Sequence, residues 1–329
     1  MTQPPESPSS PLPPAGLRDG LPAGTRLTKV HGTGNCFLLL DDPAGEIEVP
    51  AAAVAALCDV SKGIGADGLI RCVLRDGTWF MDYRNADGSL AEMCGNGIRV
   101  FVDHLRRAGL VGLAPGESLP VLTRGGARSV TALGPGAVPS WASDGGAHWY
   151  AVDMGAAETS GRADMRATVA GLRGRVFDAL RVAMPNPHAV IEVGSREALA
   201  AAVLPATDIL AAPEPLRPTY DPWPEDGVNL ELTVDVTEEG GGEGHVLMRV
   251  LERGVGETQS CGTGCCAAAA AAFLRRGGAA AGAPRVWRVG IPGGSVRVEL
   301  PEDLGAPGDG AGGSVVLSGP AEEIAQIVL

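Results

Sequence analysis

Apolar and polar positions along the chain follow two periods. RLTKVHG alternates, a Gly-Asn turn follows, and the apolar run Phe37 to Leu40 comes after it, so this region reads as strand, turn, strand with Asn35 on the loop. AAAVAALCDV (51–60) has helical spacing, while LIRCVL, TWFMDYR, GGARSVTAL and HWYAVDMG predict strands. A second cycle begins about there. VFDALRVAMPNPHAVIEV holds strands around a Pro-Asn-Pro turn, VNLELTVDV and HVLMRVLER are strands, and RVWRVGIPGGSVRVEL predicts a hairpin. Strands dominate, with one prominent helix in each half.

Those two helices share an opening. From Asn96 the apolar residues Ile98, Phe101, Val102 and Leu105 recur at helical spacing, and Gly109 can end the helix. The second helix runs from about Thr263 through the alanines of 267–272 to Arg276, with Gly277 and Gly278 beyond it. Both start with Cys-Gly-x-Gly, in MCGNG (93–97) and SCGTG (260–264), and each is preceded some ten residues earlier by an arginine at a strand end, Arg84 or Arg253. The cysteines stand about half a chain apart, the mark of a weak internal duplication.

Composition narrows the class. The 329 residues suffice for two domains, and 45% hydrophobic content with 48 glycines, 26 prolines and 4% aromatics predicts many tight turns and a core of Val, Leu and Ala. A net charge of -13, with lysine only at Lys29 and Lys62, argues against nucleic acid or an anionic membrane as partner and for a small molecule. The N-terminus has neither a basic start nor an apolar stretch, and no run of 18 apolar residues occurs, so a cytoplasmic protein is expected. Residues 1–24, rich in Pro and Ser, read as a disordered tail. The seven cysteines are an odd number for a disulfide framework, and Cys58, Cys72, Cys265 and Cys266 read as packing residues. No C-x-x-C or H-x-x-x-H spacing suggests a metal.

A cysteine at a helix N-terminus faces unpaired N–H groups and the positive end of the helix dipole, which lower a thiol pKa from about 8.5 toward 3.5–7.5. The same N–H groups can bind a carboxylate, and the glycines let it approach. Two such ends meeting at one point would hold a carboxylate between two thiols. One as thiolate could remove a proton while the other delivers one, inverting the neighbouring carbon without a cofactor.

At these residues the sequence resembles the diaminopimelate epimerase family, from about Arg26 to Leu329. The resemblance is carried by HGTGNCF (31–37), KGIGADG (62–68), YRNADGSLAEMCGNGIRVF (83–101), PNPHAV (185–190), DGVNLE (226–231) and ERGVGETQSCGTG (252–264). It implies an α+β fold of two pseudo-symmetric domains, each a mostly antiparallel sheet wrapped around a central helix, with the active site in the cleft between them. It implies domains of 25–148 plus 320–329 and of 149–319. Cys94 and Cys261 would be the acid and base pair, and the backbone of Gly95, Asn96, Gly262 and Thr263 would hold the reacting carboxylate. His188 and Glu252 would contact the α-amino group, and Asn35, Asn85, Asn186, Asn229 and Arg253 would read the distal end of the substrate. The implied reaction converts LL- to meso-diaminopimelate, with no cofactor and no metal; a homodimer is left open.

Two positions depart from the family pattern. Cys36 stands where Gly-x-x-Asn-Asp-Phe has aspartate, and Gly68 stands where many members carry a glutamine. The alternative within the enzyme class is a related two-cysteine racemase for another amino acid. The alternative outside it is a dinucleotide-binding module, since residues 262–267 fit G-x-G-x-x-A; it fails because 275–298 contains no acidic residue and no buried strand leads into the glycines.

Overall fold

The computed structural model describes residues 20–142, 147–305 and 313–329. Most of the expected tail, residues 1–19, lies outside them. Chain order begins β1 (Arg26–Gly32), β2 (Asn35–Asp41), α1 (Ala51–Cys58), β3 (Gly68–Arg75), β4 (Thr78–Asn85), α2 (Gly95–Arg107), β5 (Ser118–Thr123), β6 (Gly126–Ala132) and β7 (His148–Ala156). It continues β8 (Ala163–Thr168), β9 (Val176–Ala183), β10 (Pro187–Glu192), α3 (Arg196–Ala201), β11 (Thr219–Asp221), β12 (Asn229–Asp235) and β13 (Gly244–Glu252). The last elements are β14 (Gly256–Thr258), α4 (Gly262–Arg275), β15 (Val286–Ile291), β16 (Gly294–Glu299) and β17 (Ser314–Val328). The result is a mixed, sheet-rich fold with few helices.

Pairing runs without interruption from β1 through β2, β3, β4, β5, β6 and β7 to β17, and β17 returns to β1. Helix α2 packs against seven of those eight strands. From β8 the ladder runs through β9, β10, β12, β13, β15 and β16 to β17, and α4 packs against β9, β10, β12, β13, β15, β16 and β17. The long strand β17 belongs to both sets. Its residues 314–321 lie along β7, 316–318 along β16, and 322–328 along β1.

Each helix has the side chains its surroundings require. Ala267 to Ala272 and Phe273 in α4 are all buried, so the helix is apolar on every side and its small residues let strands approach all round. Helix α2 buries polar groups too, and these find partners: Asp103 accepts from Arg107 Nε at 2.7 Å and from the Tyr150 hydroxyl at 2.9 Å. Gly109, φ 71°, ends that helix as the sequence suggests. No described helix is long and apolar enough to cross a membrane.

The described residues before Thr25 are packed against the fold. Leu21 is buried in the cluster with Leu27, Leu38 and Leu57, and the Gly24 N–H donates to the Leu329 carbonyl. Asn35 is the first residue of β2 rather than a loop residue, because the turn is the pair Thr33-Gly34, both at positive φ as a two-residue hairpin requires.

Burial pushes the Cys58 and Cys266 thiols up to about 12 and those of Cys72 and Cys265 well above the ordinary 9.0. In the unfolded chain these thiols ionise near 9, whereas the folded chain keeps their protons. Stability is therefore full below pH 9 and falls between pH 9 and 12, by up to about 1.4 kcal/mol per pH unit for each such thiol. The urea midpoint should drop between pH 8 and 10.5, with a shallower drop in Cys266→Ala; equal slopes would contradict this assignment.

Candidate active site

The peptide enters both long helices through an extended cysteine. Cys94 (φ -138°, ψ 122°) is the N-cap of α2 and Cys261 (φ -125°, ψ 113°) that of α4, and the Gly97 N–H donates to Cys94 Sγ at 3.4 Å. The two helix ends abut. A methyl group on Gly262 would lie 3.3 Å from Gly95 Cα, and one on either glycine would lie 3.1 Å from Leu317 Cδ2. At 262 a side chain would press on the Gly95 backbone, and at 95 it would press on the side chains of Leu317 and Met154, so glycine fits both positions without a shift.

A buried polar network fixes this junction. Asn96 Nδ2 donates to Ser260 Oγ at 2.9 Å, and Ser260 shares a 2.9 Å hydrogen bond with Thr33, so α2, the β1–β2 turn and the residue before Cys261 are joined. Arg99, with no exposed surface, donates to the Gly95 carbonyl and to Asn96 Oδ1, each at 3.0 Å, and to the Pro320 carbonyl of β17 at 3.3 Å. None of these partners is a carboxylate, and burial pulls its pKa down to about 10.

On the α4 side, Cys261 Sγ is 3.4 Å from Thr263 Oγ1. Glu252, at the end of β13, accepts from the Thr258 hydroxyl, and burial raises its carboxyl pKa. His188 lies between two partners, with Nδ1 2.6 Å from Glu231 Oε1 and Nε2 3.1 Å from Asn186 Oδ1. Glu231, in the motif DGVNLE, received no role from the sequence.

The thiols reverse the expected shift. Burial pushes Cys94 up to about 11 despite the N–H groups of Gly97 and Asn96, and pushes Cys261 well above 9.0, with the Glu252 and Glu231 carboxyls adding to it. Desolvation of the thiolate outweighs the helix end because the site is closed in by sheet on both sides. Both sulfurs rest as thiols.

The remaining expected residues separate into groups. Asn35 donates through Nδ2 to Asp67 at 2.7 Å, and its Oδ1 lies 3.6 Å from Cys94 Sγ and 3.4 Å from Asn96 Nδ2. Cys36 follows it on the strand and so points to the opposite face, where its sulfur reaches the Gly34 carbonyl at 3.8 Å. A side chain at Gly68 would run into the Arg84 carbonyl, so glutamine has no room there. Asn229 Oδ1 accepts from the Arg253 N–H at 2.8 Å, and the Arg253 guanidinium donates to the Asp226 carbonyl at 2.8 Å. Asn85 is not brought into this group: its amide donates to Ser89 at 3.0 Å, within its own turn. Away from both cysteines, Asp41, Cys72 and His104 bring ligating atoms within 4.8 Å, and there His104 Nε2 is taken up by Asp41 at 2.7 Å.

Known proteins share this architecture. A phenazine biosynthesis protein of the PhzF family from Bacillus anthracis superposes with a TM-score of 0.64 at 12% identity, covering 93% of this chain and 98% of that one. A hydroxyproline epimerase from Agrobacterium vitis superposes with a TM-score of 0.56 at 15% identity, covering 95% and 94%. The fold is thus of the class that serves PhzF proteins and amino-acid epimerases. The sequence profile of diaminopimelate epimerase matches residues 27–160 and 180–321. Proteins named diaminopimelate epimerase are 41% identical over 318 residues in Rhodococcus opacus (strain B4), covering 91% of this chain and 94% of that protein, and 38% identical over 317 residues in Thermobifida fusca (strain YX), covering 92% and 96%. The chain belongs to the diaminopimelate epimerase family.

Alanine at 262 must push α4 away from Gly95 by a few tenths of an ångström. Gly262→Ala should lower stability by about 1–3 kcal/mol, as overpacking does. Because sub-ångström placement governs rate, activity should fall about tenfold or more. Steady-state kinetics and a denaturation curve check both, and unchanged kinetics would show that the junction tolerates separation.

Proposed function

We propose that the protein interconverts LL- and meso-diaminopimelate by a two-thiol acid–base reaction without a cofactor. The observation that carries this reading is the abutment of two helices at Gly95 and Gly262, each capped by a cysteine. The two sheet-wrapped helices are taken as pseudo-symmetric domains, 25–148 plus 320–329 and 149–319, with the substrate in the cleft where they meet. The first-turn N–H groups of Gly95, Asn96, Gly262 and Thr263 have no acceptors inside their helices and converge on one place, where they receive the α-carboxylate. Cys94 and Cys261 then lie on opposite faces of the α-carbon.

One sulfur, as thiolate, takes the α-hydrogen, and the helix ends stabilise the negative charge that spreads onto the carboxylate. The other thiol returns a proton to the opposite face, so configuration inverts and the thiol–thiolate assignment is exchanged. Because burial favours the protonated form of both thiols, one of them loses its proton to solvent as substrate enters, when an α-ammonium beside Glu252 offsets the carboxylate charge that opposes a thiolate at Cys261. Asn35, Asn186, Asn229 and Arg253 supply amide and guanidinium groups for the distal end; Asn85 joins them by leaving its bond to Ser89. We read the enzyme as cytoplasmic, where a biosynthetic amino acid of this kind would be made.

Each sulfur serves only one face, so Cys94→Ala and Cys261→Ala should each abolish epimerisation, and no pyridoxal phosphate should be required. Proton exchange into the substrate in heavy water, followed by NMR and chiral chromatography, checks this; substantial turnover by either variant would refute the mechanism.

A distal carboxylate gripped by Arg253 implies selectivity. Sites that bind a substrate polar group reject analogues lacking it by roughly 10⁴ to 10⁵, so lysine should be almost inert. Arg253→Lys should lose most activity because an ammonium cannot form the two-pronged contact. Comparable turnover of lysine or proline would favour the alternative racemase reading.

A further inference from the structure

Glu231 is a buried ionisable group near Cys261 that the reaction above leaves unused. It has no exposed surface, and His188 is 1% exposed. The parallel register of β10 and β12 sets His188 beside Asn229, two residues before Glu231, so the three side chains share a face of the sheet. Glu231 Oε1 meets His188 Nδ1 at 2.6 Å, whereas Oε2 is buried with no hydrogen-bond partner among the described residues.

The far side of the imidazole assigns the proton. His188 Nε2 faces Asn186 Oδ1 at 3.1 Å, and an amide oxygen only accepts, so Nε2 carries hydrogen. Two arrangements remain, an imidazolium against a carboxylate or a neutral imidazole against a carboxylic acid. The ionisable groups facing Glu231 are His188 on β10, Glu252 on β13, Cys261 and Cys265 at the start of α4, and Tyr220 on β11. None of them but His188 can be cationic. An ionised Glu231 would leave one charged oxygen unsolvated near a second carboxyl, a cost that a single hydrogen bond does not offset. A protonated Glu231 donates from Oε1 to Nδ1 and leaves Oε2 as a neutral carbonyl. Burial raises its pKa in the same direction.

We propose that Glu231 is a positioning residue, a neutral carboxylic acid whose hydrogen bond to Nδ1 locks His188 as the neutral Nε2–H tautomer, the donor that holds Asn186 Oδ1. The inference rests on the proposed function and on the family resemblance, which implies that His188 and Glu252 lie at the α-amino end of the substrate. It has two consequences. The place a side chain on Gly264 would fill lies 2.8 Å from Glu231 Oε1 and 3.4 Å from Cys261 Sγ, so a neutral Glu231 removes a charge that would oppose the Cys261 thiolate. With Nε2 a donor, the acceptor for the substrate α-ammonium is Glu252 and not His188, which instead fixes the orientation of the Asn186 amide.

The test uses ¹⁵N-labelled full-length protein. Imidazole NMR at pH 7 should show His188 as the neutral Nε2–H tautomer. Glu231→Gln has the shape of the protonated acid and keeps a donor for Nδ1, so it should retain that tautomer and keep kcat within about threefold. Glu231→Leu keeps bulk but loses the donor; it should show mixed tautomers and a kcat lower by about tenfold with KM nearly unchanged, the scale of one lost buried hydrogen bond. An imidazolium or Nδ1–H form in the parent protein, a large loss of kcat in Glu231→Gln, or an unaltered tautomer in Glu231→Leu would overturn the proposal. If the leucine variant does not fold, the parent and glutamine spectra decide. The spectra need no substrate, so the tautomer they reveal is independent of whether diaminopimelate is turned over.

Discussion

Two helix N-termini meet at Gly95 and Gly262, and this arrangement is electrostatically uphill. Each end carries roughly half a positive charge from its unpaired N–H groups, and the Arg99 guanidinium is buried beside them without a carboxylate partner. Like potentials at van der Waals distance repel, so the junction exists because packing and hydrogen bonds on every side hold it. Leu317 touches both glycine positions, and the Thr33–Ser260–Asn96 network crosses from one helix entry to the other. Such a place favours an anion, but burial there opposes a thiolate, which explains why the same geometry that attracts a carboxylate raises the thiol pKa values.

Arg99 links this junction to the sheet. Its guanidinium lies against Gly319, where even a methyl group would be 3.0 Å from its central carbon, and it holds the next carbonyl, Pro320. At that point β17 passes from its pairing with β7 to its pairing with β1. Proline suits the crossing because its missing N–H is not needed where the partner changes. The shared strand and the first turn of α2 are thus held by one side chain.

Much of the fold is legible in the sequence where one pattern dominates. Helix α4 announces itself by its alanines and α2 by Ile98, Phe101, Val102 and Leu105, and the paired Cys-Gly-x-Gly openings mark where the helices begin. Strand β17 is hidden because Gly319-Pro320 and Glu322-Glu323 interrupt its alternation, and its order comes from long-range pairing. Strands β5, β8, β11 and β14 and the short helix α3 escape for a similar reason, their apolar signal being short or broken. Among site residues, the motif indicates Asn35 but not Asp67, thirty-two positions away, which orients its amide. It likewise indicates His188 but not Glu231, because sequence spacing carries no information about a parallel register. The thiol shift runs opposite to the sequence expectation because a helix end is visible in sequence while the burial around it is a property of the closed fold.

The double membership of β17 constrains how the molecule can be made. Residues as distant as Arg26 and Val328 are partners, and the strands around α2 cannot close until β17 supplies the last of them. On the ribosome, where chain emerges in order, α2 and the open edges of β1 and β7 must therefore wait through synthesis of the entire second half. Contacts of such long range make closure slow and leave strand edges open to wrong pairing meanwhile. The geometry that unites the two halves through one strand thus makes the junction the last part of the molecule to be completed.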